Sequence, residues 1–212
     1  MVDRPDTNPY GDVELTPRGM RALAHPVRLA ILSRLQGFGP STATALAPLV
    51  GATPSVTSWH LRHLAEHGLV RDADADVDAD VMGDGRQRWW QAAGTGFRFT
   101  PSSDEAGRDA ATLLSHVLFD QAQDLPRVWV RDTEPLLEDD WRRSAGLSNT
   151  TFLATADELA EVEAAIEELL APYVRRRADR RADGTNTPGA RNVRMLRYVL
   201  PEADPGSMEE SS

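Results

Sequence analysis

The chain has 212 residues with no Cys and no Lys, so all 23 basic residues are Arg, against 33 Asp and Glu and a net charge of −10. That length exceeds one small module and suits two modest domains, while the lack of Cys excludes disulfides, thiolate metal sites and cysteine nucleophiles. No apolar run is long enough for a signal peptide or a membrane span, so a cytoplasmic location without a membrane partner is expected. The acidic total argues against a nucleic-acid partner, but its distribution does not. Glu14 to Arg71 carries +4, Gly85 to Thr100 carries +3, and the chain beyond Thr100 carries −9. The chain is therefore locally basic where DNA would lie.

Residues 1–13 are polar and read as a disordered lead. Thr16-Pro17 opens a short helix to about Ala24, because Thr caps well and Pro fits the first helical position. After His25-Pro26 a second helix turns Val27, Ile31 and Leu35 inward, with Ala30 and Leu32 beside them, and Gly37-Phe38-Gly39-Pro40 stops it. Ser41 or Thr42 caps a third helix, with Leu46 and Leu49 inward, which Pro48 shortens or bends. Thr53-Pro54 repeats the cap signal for a fourth helix over 54–67, ended by Gly68. At 100° per residue Thr57, Leu61 and Leu64 share one face, while Ser55, Trp59, Arg62, His63 and Glu66 lie opposite. Leu69–Arg71 and Arg86–Gln91 make a two-stranded hairpin around the loop DADADVDADVMGDG, with either Trp89 or Trp90 packed inward.

Beyond Phe99, Ser103-Asp104-Glu105 caps a helix over 103–125 whose Ala110, Leu113, Leu114, Val117, Leu118 and Leu125 form an apolar stripe that Pro126 ends or kinks. A strand over 150–154 leads into the capping box Thr155-Ala156-Asp157-Glu158. The helix that follows aligns Leu159, Val162, Ile166, Leu169, Leu170 and Tyr173, with acids early and Arg175, Arg176 and Arg177 late, as the helix dipole favours. A strand over 193–200 completes a strand-helix-strand unit spanning 149–200, and 203–212 is a flexible tail.

The order His25-Pro26-Val27-Arg28-Leu29, then Ser58-Trp59-His60-Leu61-Arg62-His63-Leu64, then Gly68-Leu69-Val70 resembles the ArsR-type winged helix-turn-helix regulators of bacteria. The expected fold is α+β, mainly α: a winged helix-turn-helix DNA-binding domain over 14–100 and a C-terminal helical or α+β domain over 101–202 for dimerisation or effector response. The resemblance implies a homodimeric transcription regulator that binds double-stranded DNA, with helix 54–67 in the major groove and wing 69–92 on backbone or minor groove. Metal-sensing members of the family use Cys-rich or His-rich sites. This chain has no Cys and only His116 beyond the wing, so neither a metal nor a cofactor is expected.

The candidate DNA-binding residues are Ser55, Ser58, Trp59, Arg62 and His63 on the fourth helix, Arg86 and Arg88 on the wing, and Arg28. Arg can hold guanine bidentately, Ser bonds either partner, and an apolar surface meets the thymine methyl. His60, at the edge of the buried stripe, is a structural histidine or a phosphate donor, and Arg28 is a backbone contact or an intramolecular ion pair. The six Asp from Asp72 to Asp84 are repulsive beside phosphates. Counted from Asp72 they miss the Gly and the Glu of an EF-hand, so a solvated loop held away from the duplex is expected. No arrangement of nucleophile, base and orienting group stands out, and no enzyme is expected. Two alternatives remain open: a winged helix that binds a protein, and a regulator gated by a small apolar ligand in the C-terminal domain.

Overall fold

The computed structural model describes residues 10–73, 88–99, 104–182 and 188–202, with backbone alone over 177–182. It is mainly helical, with two small sheets. The elements are β1 (Val13–Glu14), α1 (Pro17–Leu23), α2 (Pro26–Phe38), β2 (Ser41–Thr42), α3 (Ala43–Leu46), a 3₁₀ turn (Ala47–Leu49), α4 (Pro54–Glu66), β3 (Val70–Asp72), β4 (Trp89–Ala92) and β5 (Phe97–Arg98). Then follow α5 (Glu105–Ala122), α6 (Leu125–Val128), irregular turns over 129–136, α7 (Asp139–Ser144) and α8 (Ala156–Ala182).

The helix starts follow from side-chain acceptors placed before the first turn. Thr16 Oγ1 accepts from Gly19 N at 3.2 Å, Thr42 Oγ1 from Ala45 N at 3.2 Å, and Thr53 Oγ1 from Val56 N at 3.4 Å. Pro at the first position of α1, α2 and α4 removes a donor that has no intrahelical partner there. Gly51 and Gly68 end the flanking turns at φ of 66° and 68°, a conformation that costs a residue with Cβ. Thr155 and Glu158 close the capping box on α8, with Glu158 N donating to Thr155 Oγ1 at 3.2 Å and Thr155 N to Glu158 at 2.7 Å.

One core joins the first half of the chain to α5. Leu15, Met20 and Leu23 meet Leu29, Ile31, Leu32 and Leu35 of α2, Leu46, Leu61 and Leu64 of the next two helices, and Trp90 of β4. Each fully buried Leu contributes about 1.5–3 kcal/mol. α5 closes this core by laying Ala110, Ala111 and Leu114 along α1, where the small side chains permit a close approach. Arg21 Nη2 donates to Ala106 O at 2.6 Å, and Gln121 Nε2 to Pro26 O at 2.6 Å.

Several expectations need correction. Val13 and Glu14 pair in parallel with Phe97 and Arg98, so ordered chain begins before the expected start at 14. Asp12 supports this pairing by accepting from Thr95 Oγ1 at 3.1 Å and from Arg98 at 3.4 Å. Leu29, not in the expected inward set, is fully buried, and Val27 only partly so. The bend at Pro48 carries Ala47 inward and leaves Leu49 exposed. The helix expected over 103–125 stops at Ala122, and Pro126 lies in the first turn of α6, where its missing N–H costs nothing. The strands expected over 150–154 and 193–200 do not form. Both segments lack a ladder partner among the described residues, and their apolar side chains, including Phe152, Leu153, Val193 and Leu200, stay exposed.

Candidate nucleic-acid interface

α4 owes its position to its inner face. Thr57, His60, Leu61 and Leu64 are buried, and Thr57 Oγ1 also donates back to Thr53 O at 2.9 Å. This fixes the opposite face outward: Ser55 and Arg62 are exposed, Trp59 is 52% exposed, and Ser58 and His63 are half-buried. α3, its 3₁₀ turn and the Gly51 corner precede α4 and pack against it, so α3 and α4 form a helix-turn-helix pair.

The sheet beside α4 has a strand that sequence reasoning missed. β4 pairs antiparallel with β3 through Val70–Ala92, Arg71–Gln91 and Asp72–Trp90, and with β2 through Ser41–Trp90 and Thr42–Trp89. Ser41-Thr42 reads locally as a cap, and Thr42 serves as both strand residue and cap of α3. Trp90 is the inward tryptophan, and its burial ties the hairpin to the core.

A cleft of about 250 Å³ opens where the start of α3, the middle of α4 and β4 converge. It brings together Thr42, Thr44, Ser58, Arg62, Arg88 and Trp90. Of the sequence candidates, Ser58, Arg62 and Arg88 therefore share one recess, and Trp59 and His63 stack at 5.7 Å along the same helix. Ser55 stands at the first turn of α4.

Two candidates are engaged elsewhere. Arg88 is clamped by Asp72: its Nε donates to one carboxylate oxygen and its Nη2 to the other at 2.6 Å, with the guanidinium 4.1 Å over the Trp90 ring. Those hydrogen bonds, more than the charge itself, hold the Asp72 carboxyl below the usual range. Asp72 thus belongs to an ion pair at the end of β3. Asp74 to Asp84 and Arg86 lie outside the described residues. Arg28 is half-buried on α2; its Nη2 donates to Arg21 O at 3.4 Å while its Nε is buried without a partner. Burial pushes its pKa down, and it faces the histidines of α4. His60 is a core residue, 5% exposed.

Among the described residues, no three His, Asp or Glu side chains could together hold a metal ion, and no helix is long and apolar enough to cross a membrane. Residues 23–73 match the model of a helix-turn-helix domain family. Over 60 residues the chain is 37% identical to the HTH-type transcriptional regulator YgaV of Escherichia coli (strain K12), a stretch covering 28% of this chain and 58% of that protein. The chain thus spans a little over half the length of that relative. The fold and both similarities converge on one statement: an N-terminal helix-turn-helix domain is present in a mainly α, α+β chain.

Proposed function

We propose that this protein is a sequence-specific DNA-binding transcription regulator of the ArsR-type winged helix group, acting as a homodimer. The observation that carries the reading is α4 itself. Its inner face is locked into the core while Ser55, Ser58, Trp59, Arg62 and His63 are held toward solvent beside a recess with Arg88. Such a face suits base-edge contacts in a major groove, and the hairpin next to it suits backbone or minor-groove contact. The net charge of +4 over residues 14–71 supplies the phosphate attraction that the whole chain lacks. The relative is named as a transcriptional regulator, which supports the same role here.

Homodimerisation is supported by the surface of the C-terminal half. Of 21 exposed large apolar side chains among the described residues, 17 lie beyond residue 112, and this much apolar surface calls for a partner. The test is a binding assay on the DNA upstream of the protein's own coding sequence, with ultracentrifugation of the complex. Two protomers on a pseudo-palindromic duplex, with half-site centres about one helical turn or a small multiple of it apart, are expected. A monomer at micromolar concentration, with and without that DNA, overturns the dimer. If the duplex is not bound but a protein is, α4 with its exposed Trp59 is an interaction surface instead.

A further inference from the structure

Four of the five histidines and one tryptophan form an unbroken line of ring contacts. It runs from His25 to His60 at 4.8 Å, to Trp59 at 4.8 Å, to His63 at 5.7 Å and to His67 at 5.0 Å. One end is the first turn of α2, and the rest is α4. Two of these rings are placed so that they work only when neutral.

His25 caps α2: its Nδ1 accepts a hydrogen bond from Val27 N at 3.2 Å. An imidazolium carries N–H on both nitrogens and has no acceptor left, so protonation at Nδ1 deletes the cap. It also sets a positive charge on the positive end of a 13-residue helix. His60 is buried under α2, and its Nδ1 has no hydrogen-bond partner. A neutral ring tolerates that with Nδ1 unprotonated; a charged one places an N–H on Nδ1 with no acceptor in reach.

The groups around the pair offer no relief. Arg28 on α2 bears on both rings, and His63 on α4 bears on His60. Further along, His67 faces His63, Arg28, Glu66 and Arg18 of α1. Glu66, the one carboxylate among these groups, acts on His67 and lies 3.5 Å from His63 Nδ1, away from the pair.

We propose that His25 and His60 form an acid-released latch, which seats α4 against the start of α2 while both rings are neutral and lets α4 loosen once the pair takes up a proton. In agreement, burial first pushes both rings below the ordinary histidine range, followed by Arg28 at His25 and by His25, Arg28 and His63 in that order at His60. The sign follows. The unfolded chain takes the proton at higher pH than the folded one, so the pair's stabilisation is complete above about pH 6.5 and is lost progressively below it. For DNA binding, which rests on the function proposed above, the latch opposes ordinary electrostatics: acid makes the protein more positive yet unseats the helix that carries Trp59 and Arg62.

The test uses the full chain. Imidazole resonances of the wild type are titrated by NMR. His25 and His60 titrating below the ordinary histidine value of about 6.5 is expected, and titration at or above it overturns the latch. Melting temperatures are then compared between about pH 7.5 and pH 5.5 for wild type and His25→Asn, since Asn keeps the cap without a proton to gain. The acid-induced drop should be larger in the wild type by about 3 °C or more. Equal drops overturn the proposal. Anisotropy with a random-sequence duplex of about 40 base pairs at constant ionic strength gives the functional readout. Weaker wild-type binding at the lower pH is expected, and tighter binding overturns the link to DNA. Binding at neither pH counts against the proposed function while the first two measurements still judge the latch.

Discussion

Arg88 is held in an ion pair by Asp72, so Asp72→Asn should change how the protein meets a polyanion while barely changing its stability. The two side chains are each about half exposed, at 53% and 47%, and an ion pair of that kind contributes at most about 1 kcal/mol. The contact of the guanidinium with Trp90 at 4.1 Å remains after the substitution. What changes is the charge available where β3 ends and β4 begins: one carboxylate disappears, and the guanidinium it clamps can turn toward a phosphate. Each added phosphate contact steepens the dependence of log K on log salt by about 0.9, so between about 50 and 200 mM salt the variant should lose roughly three- to fourfold more affinity than the wild type. At the low-salt end it should bind more tightly. Because Arg88 holds the Asp72 carboxyl below the usual range, the pair persists at ordinary assay pH and only substitution opens it. Fluorescence anisotropy on a random duplex across that salt range is the assay. An unchanged slope refutes the idea that Arg88 is a masked phosphate contact, and weaker binding at every salt shows that Asp72 instead positions Arg88 for DNA.

Leu64→Ala should destabilise by about 2.7–5 kcal/mol, because the side chain is fully buried between α4 and the rest of the core, and thermal unfolding will show it as a Tm lower by roughly 5–20 °C. Gly94→Ala should cost about 1–3 kcal/mol, since a Cβ there would lie 2.6 Å from Gly11 O and 3.1 Å from Val13 N, both backbone atoms that cannot swing aside. Amide exchange at Val13 and Leu15 should rise with it. Replacing Phe152 and Leu153 together by Ser should leave the Tm of the N-terminal half nearly unchanged, because both side chains are exposed in one chain, yet shift the sedimentation equilibrium toward monomer. Unchanged association would remove that segment from the interface.

The N-terminal half was legible because its signals are local. Thr16-Pro17, Thr42 and Thr53-Pro54 mark helix starts by chemistry within three residues, and the spacing of Thr57, Leu61 and Leu64 fixes which side of α4 faces solvent. Pairings distant in sequence were not legible. β1 meets β5 and β2 meets β4 across more than forty residues, and two-residue strands carry no period to read. The clamp of Arg88 by Asp72 was hidden for the same reason, since run composition groups Asp72 with the acids that follow and says nothing of the strand opposite. In the C-terminal half a strand over 193–200 was expected, but a strand also needs an edge to join, and the described residues provide none. The capping box at Thr155 and the helix start after it, being local, were read as they stand.

The central claim is that the outer face of α4 reads DNA. Its most direct test measures affinities of the wild type, Arg62→Ala and Trp59→Ala for a duplex from the DNA upstream of the protein's own coding sequence, each beside a scrambled duplex of equal length. Both side chains are exposed and outside the core, so both variants should fold like the wild type. The account predicts a loss of about 1–3 kcal/mol on the upstream duplex for Arg62→Ala, with a smaller loss on the scrambled one, as expected for a residue that reads a base edge. Wild-type affinity retained by both variants on both duplexes would contradict it.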